Sequence, residues 1–198
     1  MDNIYKAFTI DPKFDSFLEN VDDLYQTEEN DKQTLIGFHY LYKRDGNVSN
    51  KFDTNDLNDP LFKLIFKDEM LTKLVELEQH IIQEYNPSAI WLIRYPPNTG
   101  LQGFHVDFDY NRHVMSLNDN PRFFSYETTR FHDKLEEYNE LYRELNDIDK
   151  FNEHYINDLP ENRLFVLDKG GIYNFGKTGH FFYNGSDKTR LAFVFDID

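Results

Sequence analysis

The 198-residue chain contains no cysteine. That absence excludes a disulfide framework, a thiolate nucleophile and any zinc or iron–sulfur site built on cysteine. A metal would have to be held by histidine and carboxylate. Alanine is nearly as scarce, with 3 residues against 19 asparagines. This bias fits an AT-rich coding genome, such as that of a phage or an AT-rich bacterium, and carries no chemistry. Positive charge is also short: 21 Lys plus Arg face 36 Asp plus Glu, for a formal net charge of -15. A phosphate backbone would meet mostly repulsion, which speaks against nucleic acid as a partner. No stretch approaches the roughly 18 apolar residues of a membrane span. The opening MDNIYKAFTIDPKF has neither the basic nor the apolar segment of a secretory signal. The expectation is a soluble, cytoplasmic protein with no membrane partner, and the sequence leaves its oligomeric state open.

What the chain does have is aromatics. Its 19 Phe and 13 Tyr supply enough burial for a core despite the charge, so disorder is not expected. The length suits one domain. Residues 1–88 read as N-terminal strands and a supporting helix, and residues 89–198 as a motif-bearing barrel with a helical insertion at about 127–158. TLIGFHYLY (34–42) reads as a strand among loops. In DPLFKLIFKDEMLTKLVELEQHIIQEYNP (59–87), Leu61, Leu64, Ile65, Leu71, Leu74, Val75, Ile81 and Ile82 recur at helical spacing. Asp59 suits the N-cap, Pro60 the first turn, and Pro87 lies past the end. AIWLIRY (89–95) and RHVMSLN (112–118) read as strands, and the tail as short strands between Gly and Asn/Asp turns. Helices are too few to alternate with strands in a parallel sheet. The expected fold is mainly β with flanking helices, a β-barrel or jelly roll.

The stretch GLQGFHVDFDY (100–110) places His105 and Asp107 two residues apart. On a strand both leave the same face and reach one point. Asp109 shares that face and competes with Asp107 as the carboxylate. A third donor is offered by His180, in GKTGHFFYNGSDKTRLAFVF. Two histidines and one carboxylate on one face of iron leave open positions, the arrangement of non-haem Fe(II) oxygenases. If the NGSD turn closes a hairpin, Arg190 falls on the strand beside His180. Its planar guanidinium would hold a cosubstrate carboxylate through two parallel hydrogen bonds. Asn184 and Ser186 read as turn formers. His39, His80, His132 and His154 match no motif and read as structural or surface groups.

His105-x-Asp107, His180 and Arg190 together resemble the Fe(II)- and 2-oxoglutarate-dependent dioxygenases of double-stranded β-helix (jelly-roll, cupin-like) fold. Within that superfamily the chain looks most like the aspartyl/asparaginyl β-hydroxylase-like group, which includes some free proline hydroxylases. The segment DKGGIYNFGKTGHFFYNGSDKTRLAFVFDI is similar to that group's H-x-x-x-N-x-S-x-x-x-R ending, and RHVMSLNDNP follows the first histidine. The resemblance covers about residues 89–198. It implies that His105, Asp107 and His180 bind Fe(II) and that Arg190 pairs with the distal carboxylate of 2-oxoglutarate. It also implies that O2 is consumed, succinate and CO2 are released, and a small-molecule or peptide substrate is hydroxylated. Two departures stand out. Well-known eukaryotic members lack the carboxylate ligand that Asp107 would supply. The group's R-x-H pattern is Arg112-x-Val114 here, with His113 on the other strand face, so the histidine role is not transferred.

No lysine occurs between Lys73 and Lys134. Arg94 and Arg112, in the strands flanking His105, are therefore candidates for the C1 carboxylate of 2-oxoglutarate or for a substrate carboxylate. A small carboxylate-bearing substrate, an amino acid or a peptide side chain, follows from that reading. The alternative is a non-catalytic cupin-like protein that binds a metal or ligand. On the last strand, Arg190, Ala192 and Val194 are expected to face the interior, with Leu191, Phe193 and Phe195 on the opposite face.

Overall fold

A computed structural model describes residues 4–24, 37–44, 66–95, 107, 111–118, 122–126, 163–176, 178–183 and 188–197. Branched and aromatic side chains fill β3 (Ala89–Tyr95) and β9 (Arg190–Asp196), residue types that suit a pleated, buried surface. The two strands pair antiparallel from Ala89 opposite Asp196 to Tyr95 opposite Arg190. Around them lie β1 (Tyr5–Thr9), β2 (Gly37–Lys43), β4 (Arg112–Ser116) and β7 (Gly171–Asn174). The six-stranded sheet has the order β1-β7-β4-β9-β3-β2. A second sheet, of β5 (Arg122–Tyr126), β6 (Arg163–Val166) and β8 (Gly179–Tyr183), has the order β6-β5-β8.

The pairings within both sheets are antiparallel. From β4 onward the chain passes to the small sheet for β5 and β6, returns for β7, crosses again for β8 and returns for β9. Equivalent neighbours stack in the two walls, β4 between β7 and β9, and β5 between β6 and β8. This is the double-stranded β-helix, a jelly roll of cupin type. Side chains of the large sheet divide by parity. Ile93, Tyr95, Val114, Phe175, Ala192 and Val194 share the interior cluster. Leu92, Met115, Ile172, Leu191, Phe193 and Phe195 share the outer one, under the helices. The alternation expected along β9 therefore holds.

Helix α3 (Asp68–Tyr85) buries Met70, Leu71, Leu74, Leu77 and Ile81, one apolar stripe at helical spacing. It ends at Asn86 in the left-handed region (φ 47), whose N–H bonds the Ile82 carbonyl, and Pro87 follows. Its start differs from the expected one. Helix α3 begins at Asp68, because Phe66 is buried in a bridge and Lys67 is extended, its N–H donating to Leu24, so one unbroken helix over 59–87 does not form; Asp59 and Pro60 lie outside the described residues. A 3-10 turn (Pro12–Phe14), α1 (Asp15–Glu19) and α2 (Val21–Leu24) occupy part of the region expected as strands and loops. Phe14, Phe17, Leu18 and Val21 fill the core beside α3. The expected helical insertion at about 127–158 lies outside the described residues. Among the described residues, no helix is long and apolar enough to cross a membrane.

Candidate functional site

His180 stands on β8 opposite Ser125 of β5 and is 5% exposed. Its Nδ1 lies 2.8 Å from the Thr178 carbonyl, which can only accept, so Nδ1 carries the proton. In the neutral ring the lone pair is then on Nε2. The ring rests against Phe175, with centroids 4.7 Å apart. Nε2 lies 3.6 Å from Oδ2 of Asp107, which is 7% exposed. Oδ1 of Asp107 accepts from Arg112 Nη1 at 2.6 Å. Oδ2 is buried and meets no hydrogen-bond partner among the described residues. An imidazole lone pair and an orphaned carboxylate oxygen face each other there, and burial makes such an oxygen expensive without a cation. At bond lengths of about 2.0–2.2 Å one metal ion would reach both donors. His105 and Asp109 lie outside the described residues, among which no cluster of three His, Asp or Glu side chains forms.

Arg112 of β4 sits directly opposite Asp196 of β9. Its Nε donates to Oδ1 at 3.0 Å and its Nη2 to Oδ2 at 3.2 Å. With Nη1 on Asp107, the guanidinium forks one carboxylate and pins another. It also lies 4.9 Å above the Trp91 ring, a cation–π contact. Burial raises the Asp196 carboxyl above its ordinary range, and Arg112 opposes that rise. The arginine considered for a ligand carboxylate is thus occupied by two carboxylates of the chain itself.

Arg94 is placed differently from the sequence reading. It pairs with Leu191 and shares the helix-covered face with Ile90 and Leu92, while Tyr95 and Ile93 carry the interior face. Parity alone turns it away from Asp107 and His180. Arg190 pairs with Tyr95 and shares its interior face with Ala192 and Val194. It does not reach that position through a hairpin: β8 and β9 lie in different sheets, so His180 and Arg190 approach from opposite walls. The Nε and Nη1 atoms of Arg190 are buried and have no hydrogen-bond partner among the described residues. Burial, and then the Asp107 charge, push the Tyr95 phenol far above its ordinary range. The phenol therefore stays neutral. The sequence reading missed Tyr95 and Asp196. Position parity with Arg190 was the available signal for Asp196, an acidic residue at an inward position of a buried strand.

No protein-family model matches the chain, and no curated protein matches it. Among solved structures, 39 chains match. The cupin domain of Drosophila melanogaster CENP-C is 8% identical, over 54% of this chain and 59% of that one, with a TM-score of 0.35. Bacillus subtilis oxalate decarboxylase is 12% identical, over 59% of this chain and 24% of that one, with a TM-score of 0.36. A cupin domain from Bordetella pertussis is 16% identical, over 56% and 80%, with a TM-score of 0.32. The chain thus spans less than two thirds of the first two. The barrel assignment rests on the strand order above, and the site on its own residues.

Proposed function

We propose that the protein is an Fe(II)- and 2-oxoglutarate-dependent oxygenase that hydroxylates a small carboxylate-bearing substrate, an amino acid or a peptide side chain. The observation that carries this reading is the orphaned Asp107 Oδ2 held 3.6 Å from His180 Nε2. A nitrogen and oxygen donor set without sulfur suits Fe(II), and His105 would complete it. Fe(II) with 2-oxoglutarate and O2 supplies the oxidising chemistry, releasing succinate and CO2. The chain supplies the positioning. The Thr178 carbonyl fixes the His180 tautomer, and Arg112 leaves only Oδ2 of Asp107 to face the ion. Arg190 would take the distal carboxylate of 2-oxoglutarate on its buried N–H groups, with the small Ala192 leaving room beside it.

The test is anaerobic addition of Fe(II) and 2-oxoglutarate. We expect a visible metal-to-ligand charge-transfer band, and succinate release once O2 is admitted. His180→Ala should abolish both while circular dichroism shows the barrel intact. A wild-type chain that retains no iron and gives no band would overturn the proposal. A second reading, a non-catalytic cupin-like binding protein, draws on one observation. A proton on His180 would complete the Asp196–Arg112–Asp107 chain as an ion pair without metal. That reading expects no succinate release when O2 is admitted, whether or not Fe(II) is bound.

A further inference from the structure

We infer that Asn118 is the residue that positions Arg190, by bonding the peptide groups on both sides of it. The inference rests on Arg190 as the cosubstrate anchor. Strand β4 ends at Ser116, and Leu117 N–H still bonds the Leu191 carbonyl at 2.9 Å. One residue further, the side chain of Asn118 takes over as strand partner. Its Nδ2 donates to the Thr189 carbonyl at 2.8 Å, and its Oδ1 accepts from the Leu191 N–H at 2.9 Å. Those two peptide groups flank the Arg190 Cα, so a single amide holds the backbone on either side of it. The second Nδ2 hydrogen goes to Asp22 of α2 at 2.7 Å, and Asp22 also receives Lys188 at 3.2 Å. Ser116 Oγ donates to the Asn118 carbonyl at 2.6 Å, which fixes the backbone that carries the amide.

Asn118 is 3% exposed, and every hydrogen-bonding position of its amide nitrogen is used. Only a primary amide both donates to a carbonyl and accepts from an N–H at this spacing; aspartate cannot donate and alanine does neither. The binding geometry of a site must hold within about 0.5 Å and 10–20°. A guanidinium at the end of a long side chain magnifies any rotation at its Cα, so the backbone of residue 190 is where precision has to be set. The Asn118 amide is the device that sets it.

The experiment compares two 2-oxo acids that differ at the end Arg190 would grip. Binding of 2-oxoglutarate and of pyruvate, which lacks the distal carboxylate, is followed anaerobically in the Fe(II) protein by fluorescence of Trp91. Wild type should prefer 2-oxoglutarate. Arg190→Ala should abolish the preference. Asn118→Ala should reduce it by about tenfold, the loss of one charge-assisted hydrogen bond, while leaving pyruvate binding and Fe(II) affinity unchanged. A merely structural role would weaken both acids and the metal together. The double variant Asn118→Asp/Asp22→Asn keeps the link to α2 and the bond from Leu191 but loses the bond to Thr189. It should show the same selective loss and serves if Asn118→Ala does not fold. If Arg190→Ala loses the preference and a folded Asn118 variant keeps it, the inference alone is overturned. If Arg190→Ala leaves the preference untouched, the cosubstrate role of Arg190 is overturned and the inference falls with it.

Discussion

Arg112 carries one positive charge between two buried carboxylates, Asp107 and Asp196, and the geometry of each contact decides what the pair can do. The fork onto Asp196 fixes the guanidinium plane. The third nitrogen then fixes Asp107, so that only Oδ2 of that carboxylate remains to face His180. Groups that orient a metal ligand typically contribute a factor of about 10–100 in metal affinity. Asp196→Asn should therefore weaken Fe(II) binding by at least about tenfold, measured by competition with a chelator. Arg112→Lys should do the same despite keeping the charge, because an ammonium cannot fork. Unchanged affinity in both variants would show that Asp107 aims itself. At this scale the sequence was informative where residue types and spacing suffice. Asp107 and His180 stand out through the combined spacing of His105-x-Asp107, His180 and Arg190, and the structure brings the two within 3.6 Å. Arg94 and Arg112 looked alike because both flank His105. What separates them is parity and register across β9, and no local pattern states which strand lies next to which.

Elements were legible at their ends wherever a single residue sets the boundary. Asn86 terminates α3 in the left-handed region, with its carbonyl taken by Arg44, and Pro87 bars continuation. The left-handed conformation costs an ordinary L-residue about 1–2 kcal/mol, less for asparagine, and glycine escapes most of it. Asn86→Gly should raise the unfolding free energy by up to about 1 kcal/mol, read from the urea midpoint at constant slope. A fall instead would mean that the Asn86 side chain stabilises the cap. The break at Phe66 and Lys67 just before α3 was not legible, because what sets it is tertiary. Lys67 donates to Leu24, and Phe66 is drawn into the core under the barrel. The same cause hid the passage from β8 to β9. An Asn-Gly turn between two apolar strands reads as a hairpin, yet each strand finds its partner elsewhere, β8 on β5 and β9 on β3 and β4. Closure of a barrel overrides the local turn signal.

For the molecule as a whole, two electrostatic effects of opposite sign meet between neutral and mildly acidic pH. The net charge of -15 repels itself, and protonation relieves it. Against this stands His113, which staples β4 to three other strands. Its ring stacks on Phe195 at 5.7 Å and on Phe8 at 6.1 Å, with Nδ1 on the Asn111 carbonyl and Nε2 beside the Asn174 amide. Burial, opposed by the Asn111 bond and the Asp196 charge, lowers its pKa below the ordinary histidine value. His80 is lowered too, by burial and then by Lys13. A histidine depressed in the folded state takes its proton first in the unfolded one, so its stability contribution is present above about pH 6.5 and is lost as pH falls from there. Salt separates the two effects, because it screens the diffuse repulsion and leaves a buried ring largely untouched. Raising NaCl from about 0.01 to 0.3 M at pH 7.5 should raise the melting temperature. At the higher salt, lowering the pH from 7.5 to about 5.5 should depress it, and His113→Phe should flatten that slope even if the variant melts lower throughout. An unchanged slope in His113→Phe would move the pH sensitivity to His80, which packs on Phe14 beside Lys13, and would leave His113 a neutral spacer at every pH tested.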